Sequence, residues 1–327
     1  MIVNRFNVED KSPAKHEVFR FVHLSDPHLF STSGVRVRDL LNKRVHAFLS
    51  WHLHRHAEHC EEVLAALLKD LQSTKPDHIV LTGDLTHLGL PDEFRQAREL
   101  LQALGPPSKV MVIPGNHDAY VATAWEQTFR HWSDYLASDA DRDCPEVVKN
   151  HGIVFPTLRV RDAIAFIGLS TARPTIPLLA TGSIGKAQME KLENVLDETR
   201  RRHLLRVVMI HHPPVPGTIS WRKRLTDQRA FQAVLARQGA ELILHGHTHR
   251  TCLGHLETPW GRVFSIGVPS ASSLGRTAHR RARYHIFRLM LSGGGPEMLL
   301  SVRVYSPPEQ RFVNESDQSV PLPQPTG

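Results

Sequence analysis

Five short clusters of polar residues carry the side chains of this sequence that are best suited to chemistry. Together they hold carboxylates, an amide and several imidazoles, but no cysteine. In chain order they are Asp26-Pro27-His28, Gly83-Asp84, Gly115-Asn116-His117-Asp118, His211-His212-Pro213-Pro214 and Gly246-His247-Thr248-His249. Oxygen and nitrogen donors without thiolates favour Mn, Fe, Zn or Co over an iron–sulfur cluster or Cu(I). The clusters therefore predict a divalent-metal centre if the fold brings them together.

The spacing inside the clusters favours a shared cavity. Residues two apart in an extended chain point the same way, so Asp26 and His28 should reach one side. The same argument applies to His247 and His249. A glycine directly precedes each of Asp84, Asn116 and His247. Glycine lets the backbone turn sharply and approach an ion closely. Each cluster alone is weak evidence, and the prediction depends on all five occurring together.

The elements that must position these clusters are short strands alternating with helices. Each cluster follows a short apolar run bounded by polar residues, Gly or Pro, which favours strands at 18–24, 79–81, 110–113, 207–210 and 242–244. Helical periodicity falls at 60–71, 94–104, 184–200 and 228–235. The alternation predicts an α/β fold, and ligands of such folds gather at the carboxyl ends of strands.

The remaining segments predict hairpins and loose ends. Residues 157–161 with 163–169, 253–257 with 262–266, and 284–291 with 299–305 are each separated by a turn-forming sequence. Residues 306–327 are polar and proline-rich, which predicts a flexible tail. Residues 1–17 read as a polar leader. We therefore expect one domain over residues 18–305.

Composition narrows the class of protein. The chain has 327 residues, a formal net charge of +7 and a pI near 9.5, which favours an anionic partner. No apolar run reaches the roughly 18 residues of a spanning helix, and the N-terminus lacks a signal-peptide core. The cysteines, Cys60, Cys144 and Cys252, are odd in number and far apart, which predicts reduced thiols in a cytoplasmic protein.

The ordered motifs D-x-H, G-D, G-N-H-D, H-H-P and G-H-x-H resemble those of the calcineurin-like metallophosphoesterases, from about Phe19 to Arg250. The resemblance implies a four-layer α/β/β/α sandwich that holds two divalent ions at the sheet edge. Mn²⁺ is the expected ion, with Fe²⁺, Zn²⁺ and Co²⁺ as alternatives. It implies that His212 is structural and that the ligands are Asp26, His28 and His249 for one ion, Asn116, His211 and His247 for the other, and Asp84 bridging both.

Such a pair of ions, about 3.5–4 Å apart, would bind phosphoryl oxygens and activate a water for in-line attack. His117 would then stabilise charge on the phosphoryl group or protonate the leaving oxygen. Asp118 would orient the His117 imidazole. The resemblance thus predicts a metal-dependent phosphodiester or pyrophosphate hydrolase with a phosphorylated substrate.

The segment at about 30–59 is an insert relative to compact members of that family. Residues 36–58 hold five Lys/Arg and two acids, and Leu41, Val45, Phe48 and Leu49 form an apolar stripe at helical spacing. One interpretation is core packing with a solvated basic face. The other is a basic amphipathic lid that holds an amphiphilic substrate or contacts the inner membrane peripherally through residues 36–56.

The sequence leaves alternatives open for the identity of the substrate. The N-K-R…L-S-W…R-H stretch of the insert is similar to bacterial UDP-2,3-diacylglucosamine pyrophosphatases of the chlamydial type, which implies a nucleotide–lipid pyrophosphate. The alternative is a class III cyclic-nucleotide phosphodiesterase, which shares the core motifs and His-His-Pro-Pro. A non-catalytic scaffold of the same fold is disfavoured because the ligand set is complete. Nucleic acid is not expected, because the arginine clusters lack interleaved aromatic residues.

Overall fold

The computed structural model describes residues 16–30, 44, 60–142, 152–275, 277–292 and 295–322. Within these ranges the strands form two six-stranded sheets. The strands are β1 His16–Leu24, β2 His78–Leu81, β3 Val110–Val112, β4 Thr157–Arg161, β5 Ile164–Gly168, β6 Leu205–Met209, β7 Leu242–His245, β8 Cys252–Thr258, β9 Gly261–Gly267, β10 Arg283–Ser292, β11 Gly295–Ser306 and β12 Arg311–Val320. All five predicted strands and all three predicted hairpins are therefore confirmed. Their ends are shifted by one or two residues, except that β11 begins four residues before the predicted start.

The first sheet has the strand order β12-β11-β10-β1-β2-β3, and the second has β4-β5-β6-β7-β9-β8. In the first, β1, β2 and β3 run parallel, in the register Val22↔Ile79 and Ile79↔Val110. In the second, β5, β6, β7 and β9 run parallel. Parallel strands end at the same sheet edge, so the clusters that follow β1, β2, β3, β6 and β7 are delivered to neighbouring positions.

Within the described ranges, four helices of eleven or more residues cover the outer faces of the sheets: α1 Glu61–Thr74, α2 Pro91–Leu104, α3 Lys186–Arg201 and α4 Gln228–Gln238. Shorter helices lie at Ser133–Leu136 and Asp139–Arg142, and single turns at Trp125–Gln127, Phe129–Trp132, Trp221–Lys223 and Ala278–Arg280. All four predicted helices are confirmed. Among the described residues, no helix is both long and apolar enough to cross a bilayer.

In the part of the chain that the structure describes, three clusters of buried apolar side chains fill the spaces between the layers. Leu67 of α1 and Leu101 of α2 pack on the first sheet, and Leu192 of α3 packs with Phe231 of α4 on the second. Between the sheets, Phe21 stacks on Phe287 at 4.8 Å and meets Phe166 edge-on at 5.1 Å. Every residue of β5 is buried because the strand is covered on both faces. Strands in this position carry unbroken apolar runs, as β5 does. The expected α/β/β/α sandwich is confirmed.

The predicted flexible tail is wrong for Arg311–Val320. This segment is the edge strand β12, paired antiparallel with β11 in the register Val304↔Val313. Phe312 is buried against Tyr284 and Tyr305, at ring distances of 5.4 and 5.6 Å. Main-chain pairing and two buried side chains, Phe312 and Val320, therefore fix a segment whose composition is polar.

Several predictions concern residues that the structure does not describe, at the N-terminus, in the insert and at Cys144. The first strand begins at His16, two residues before the predicted domain start. Residues 1–15, Cys144 and all of 31–59 except Arg44 are outside the described ranges. The predicted amphipathic helix of the insert and its contact with a membrane therefore stay predictions.

Candidate metal centre

The turns that follow the parallel strands are tied to one another by their backbones. The amide of Asp26 donates to the carbonyl of Gly83 at 2.9 Å, and that of His28 donates to the carbonyl of Asp84 at 3.0 Å. The amide of Gly246 donates to the carbonyl of His211 at 3.2 Å across the second sheet. These bonds hold the turns in register, so side chains from distant parts of the chain share one edge.

Five of the seven expected ligand residues have left-handed backbones. Their φ angles are 53° at Asp26, 46° at His28, 55° at Asp84, 67° at His247 and 52° at His249. Such conformations cost about 1–3 kcal/mol each and persist where the surroundings impose them, commonly at functional sites. The predicted reason for convergence is therefore wrong. The D-x-H and H-x-H pairs converge through tight turns and not through the alternation of an extended strand.

The first donor group is Asp26, His28 and His249, whose nearest ligand atoms all lie within 4.8 Å of one another. Nε2 of His28 lies 3.0 Å from Nε2 of His249, and Oδ1 of Asp26 lies 3.6 and 3.3 Å from those two atoms. Oδ1 of Asp26 is buried and accepts no well-aligned hydrogen bond, whereas its Oδ2 accepts from the amide of His247 at 3.0 Å. A buried carboxylate oxygen between two imidazoles fits a divalent cation.

The second donor group is Asp84, His211 and His247, with Asn116 beside it. Nδ1 of His211 donates to the carbonyl of Thr82 at 2.6 Å, which directs Nε2 into the site. There Nε2 lies 3.0 Å from Oδ1 of Asn116 and 3.3 Å from Oδ2 of Asp84.

His247 is oriented in the same way through its other nitrogen. Its Nε2 donates to the carbonyl of Lys223 at 3.0 Å, which leaves Nδ1 on the site side. Backbone acceptors that fix the tautomer in this way are typical of ligating histidines.

Asp84 lies between the two groups. Its Oδ2 is 3.3 Å from Nε2 of His211 and 3.8 Å from Nε2 of His28, and its Oδ1 accepts from the amide of His117 at 2.7 Å. Burial would raise the pKa of Asp84, but the His211 and His117 imidazoles outweigh burial and hold that pKa well below its usual range. Asp84 is thus an anionic carboxylate in contact with both groups.

Two glycines are required by close packing at this carboxylate pair. A Cβ on Gly115 would lie 2.2 Å from Oδ1 of Asp84, and a Cβ on Gly246 would lie 2.3 Å from Oδ2 of Asp26. Real Cβ contacts of this length do not occur without displacement of a neighbour. The sequence predicts that these glycines let the backbone approach an ion. The structure shows that they make room for the Asp84 and Asp26 carboxylates.

His117 is held at the side of the first group. Its Nδ1 donates to the carbonyl of His87 at 2.5 Å, so any proton transfer by this imidazole falls to Nε2. The ring is stacked between His87 and Tyr120, at centroid distances of 5.4 and 5.3 Å. It also meets the ring of His28 edge-on at 4.8 Å. These contacts place His117 next to the metal-ligand candidates.

Asp118 does not orient His117, contrary to the sequence-based prediction. Its Oδ1 accepts from the amide and hydroxyl of Thr86, each at 2.9 Å, and its Oδ2 accepts from the amide of Gly115 at 2.8 Å. Burial, together with the charge of Asp84, raises the pKa of Asp118 to about 6. Both oxygens are committed to the turns around Asp84, so Asp118 supports the backbone of the site.

His212 is structural, as expected. Its Nδ1 and Nε2 contact the hydroxyl of Thr171 at 2.7 Å and the carbonyl of Ala180 at 3.1 Å. His87, in contrast, is a site residue that sequence reasoning missed. Its ligand atoms form a third group with those of His28 and His117, all within 4.8 Å. The only sequence signal for it is its position three residues after Asp84.

Comparisons with known proteins identify the family and the fold. The sequence model of the calcineurin-like phosphoesterase family matches residues 19–251. A probable glycerophosphodiester phosphodiesterase of Arcobacter nitrofigilis is 27% identical over 61% of this chain and 64% of its own length. A probable cyclic nucleotide phosphodiesterase of Rhodococcus erythropolis is 27% identical over 70% of this chain and 64% of its own length. This chain thus spans just under two thirds of each relative.

Among solved structures, a dimetal phosphatase from Danio rerio matches with a TM-score of 0.55 and 12% sequence identity. The match covers 94% of this chain and 100% of the other. At this identity it shows a shared fold.

Proposed function

The chain belongs to the calcineurin-like phosphoesterases, and on that premise we propose that it hydrolyses phosphodiesters with two divalent ions. The observation that carries the proposal is the position of Asp84, whose Oδ2 faces an imidazole of each donor group, at 3.8 and 3.3 Å. A carboxylate between two sets of nitrogen donors is the arrangement that a two-ion site needs.

The residues that would hold the ions are the seven expected from the sequence. Asp26, His28 and His249 would hold one ion, Asn116, His211 and His247 the other, and Asp84 would contact both. Two bound ions would supply Lewis-acid activation of the phosphoryl group and of the attacking water. The donor set is entirely oxygen and nitrogen, which suits Mn²⁺ and also Fe²⁺, Zn²⁺ or Co²⁺.

The chain's own residues supply positioning and proton transfer. Nε2 of His117 is directed to the site because Nδ1 donates to the His87 carbonyl. The doubly protonated imidazolium would therefore donate from Nε2 to the phosphoryl group, or transfer that proton to the leaving oxygen and become neutral. The Asp118 carboxylate fixes Thr86 and Gly115, and these flank Asp84 in the fold. No serine or cysteine nucleophile is required by this scheme.

The substrate class that we propose is a small phosphodiester, such as a cyclic nucleotide or a glycerophosphodiester. The names of the relatives favour this alternative over the nucleotide–lipid pyrophosphate that the insert sequence predicts. The intact set of seven donor residues disfavours a non-catalytic scaffold. A cytoplasmic location stays a prediction.

The test uses protein stripped of metal and reloaded with Mn²⁺. It is assayed in parallel on cyclic AMP, glycerophosphoethanolamine, bis-p-nitrophenyl phosphate and UDP-2,3-diacylglucosamine. We expect turnover of diesters that depends on Mn²⁺ and stops on chelation. Faster turnover of UDP-2,3-diacylglucosamine than of the diesters would favour the pyrophosphatase hypothesis instead. Two bound ions with no turnover of any substrate would favour the scaffold.

A further inference from the structure

A short loop, residues 86–90, surrounds His117 on its backbone side. Besides the bond from Nδ1 of His117 to the His87 carbonyl, the hydroxyl of Thr86 lies 3.2 Å from the carbonyl of His117 and shares its one proton between this carbonyl and Oδ1 of Asp118. Gly89 approaches the same carbonyl so closely that a Cβ would lie 3.1 Å from it. The position of this 86–90 loop therefore sets the position and the tautomer of the His117 imidazole.

Two ionisable side chains hydrogen-bond the backbone of the 86–90 loop, Arg44 as a donor and Glu93 as an acceptor. Nε of Arg44 donates to the carbonyl of Leu88 at 2.8 Å, and Nη2 of the same residue donates to the carbonyl of Gly89 at 2.6 Å. Oε2 of Glu93 accepts from the amides of Leu88 and Leu90 at 2.8 and 3.1 Å. Arg44 takes the carbonyls and Glu93 takes the amides, so the peptide groups of the loop are bonded in both directions.

Both clamping residues are buried, which makes their use costly. Arg44 is 6% exposed and Glu93 is fully buried. Burying the Arg44 guanidinium costs several kcal/mol unless its hydrogen bonds are satisfied. Burial raises the pKa of Glu93 to about 8, so its neutral form is favoured at pH 7, and Oε2 can accept from both amides in either form. Arg44 is also the one residue of 31–59 that the structure describes, and it faces protein carbonyls, not lipid or solvent.

The geometry points to Arg44 and Glu93 as positioning residues for His117. Arg44 is linked to the reaction centre by two sets of hydrogen bonds that the backbone of the 86–90 loop connects. The guanidinium donates to the Leu88 and Gly89 carbonyls, and the neighbouring His87 carbonyl accepts from the His117 imidazole. The planar guanidinium bonds two successive carbonyls at once, which a lysine ammonium cannot reproduce in the same geometry. This inference rests on the proposed role of His117 in proton donation.

The first test is a leaving-group series on the Mn²⁺-loaded protein. If Arg44 acts through His117, Arg44→Ala should lower kcat by about 10-fold or more for alkyl leaving groups, which need a proton. It should lower kcat only a few-fold for p-nitrophenolate, which does not, with KM little changed and two ions retained. Arg44→Lys should fall between. Arg95→Ala, which removes an exposed arginine paired with Asp92 on α2, is the matched control and should match the parent. A loss that is equal for all leaving groups would overturn the inference.

The second test is a double-mutant cycle. In the His117→Ala background, Arg44→Ala should cause little further loss of kcat, because the group that it positions is gone. Losses that multiply independently would show that Arg44 acts on something else. If Arg44→Ala does not fold, Arg44→Lys is taken through the same cycle.

A third readout does not depend on activity. In metal-free protein labelled with ¹⁵N-histidine, the His117 signal is identified by its absence in His117→Ala. We expect a protected proton at Nδ1 in the parent and a faster-exchanging one in Arg44→Lys. Unchanged protection would overturn the inference, whereas an inactive parent with normal protection would refute only the proposed function.

Discussion

Nε2 of His211 lies 3.3 Å from Oδ2 of Asp84, while Nδ1 of the same ring donates to the carbonyl of Thr82. A neutral imidazole in that tautomer has only a lone pair to offer the carboxylate, so the contact is repulsive unless a proton or a cation lies between them. Burial lowers the pKa of His211, but the charge of Asp84 more than offsets burial and raises it to about 9. The metal-free protein therefore carries a proton where the proposed ion binds.

The first prediction concerns metal affinity and pH. The ion must displace the His211 proton, so protons compete with Mn²⁺ for this site. Mn²⁺ binding should therefore tighten as pH rises from about 6 toward 9, because the competing proton is held less and less strongly near the pKa of His211. Calorimetry in two buffers of different ionisation enthalpy measures both the affinity and the protons released. Affinity that is constant across this range, with no proton release, would contradict the assigned role of His211.

The second prediction concerns Gly115, whose φ is not in the left-handed region, so only space opposes a side chain there. Gly115→Ala places a methyl group 2.2 Å from Oδ1 of Asp84 and should displace that carboxylate, with loss of at least one ion per chain. Elemental analysis of the purified variant measures the loss. Gly254→Ala is the matched control, because its Cβ meets only Val215 at 3.4 Å. A fully loaded, active Gly115→Ala protein would show that Asp84 tolerates displacement.

The third prediction distinguishes the role of His117 in proton transfer from the structural role of Asp118. His117→Ala should lower kcat by roughly 10²–10⁴-fold without changing the metal content. Asp118→Ala leaves buried donors of Thr86 and Gly115 unpaired, at about 1–3 kcal/mol each, and should lower Tm as well. Thermal unfolding and steady-state kinetics on both variants measure these effects. An Asp118→Ala protein of normal Tm and reduced kcat would restore the dyad expected from the sequence.

The fourth prediction concerns the last strand. Phe312 is 1% exposed, and Phe312→Ala should destabilise the protein by about 3–5 kcal/mol. Arg311→Ala, at an exposed position on the same strand, should change stability by less than about 1 kcal/mol, since its ion pair with Glu309 is a surface one. Chemical denaturation measures both. Equal stability of the two variants would mean that β12 does not pack as described.

The fold was predictable where burial shapes the sequence. Strands such as Ile164–Gly168 are covered on both faces, so every side chain had to be apolar and the pattern is visible. Arg311–Val320 escaped notice because an edge strand needs only main-chain pairing and a few anchors. Two buried apolar side chains in ten residues do not produce a recognisable period.

The site was predictable in its side chains but not in its backbone contacts. Residue type indicated a divalent-metal centre built from the five clusters, because ligating atoms must be carboxylate, amide or imidazole. The resemblance to the calcineurin-like metallophosphoesterases then implied the seven metal-ligand candidates. The orientation of His117 by the His87 carbonyl left no such signal, because any residue has a carbonyl. Arg44 was read as one of several basic residues of the insert, and only its position beside Leu88 and Gly89 distinguishes it.

The most direct test of the two-ion account is anomalous diffraction from crystals grown with Mn²⁺. The account predicts two peaks about 3.5–4 Å apart, one among Asp26, His28 and His249 and the other among Asn116, His211 and His247, with Asp84 contacting both. A single peak, or a peak held instead by His28, His87 and His117, would contradict it.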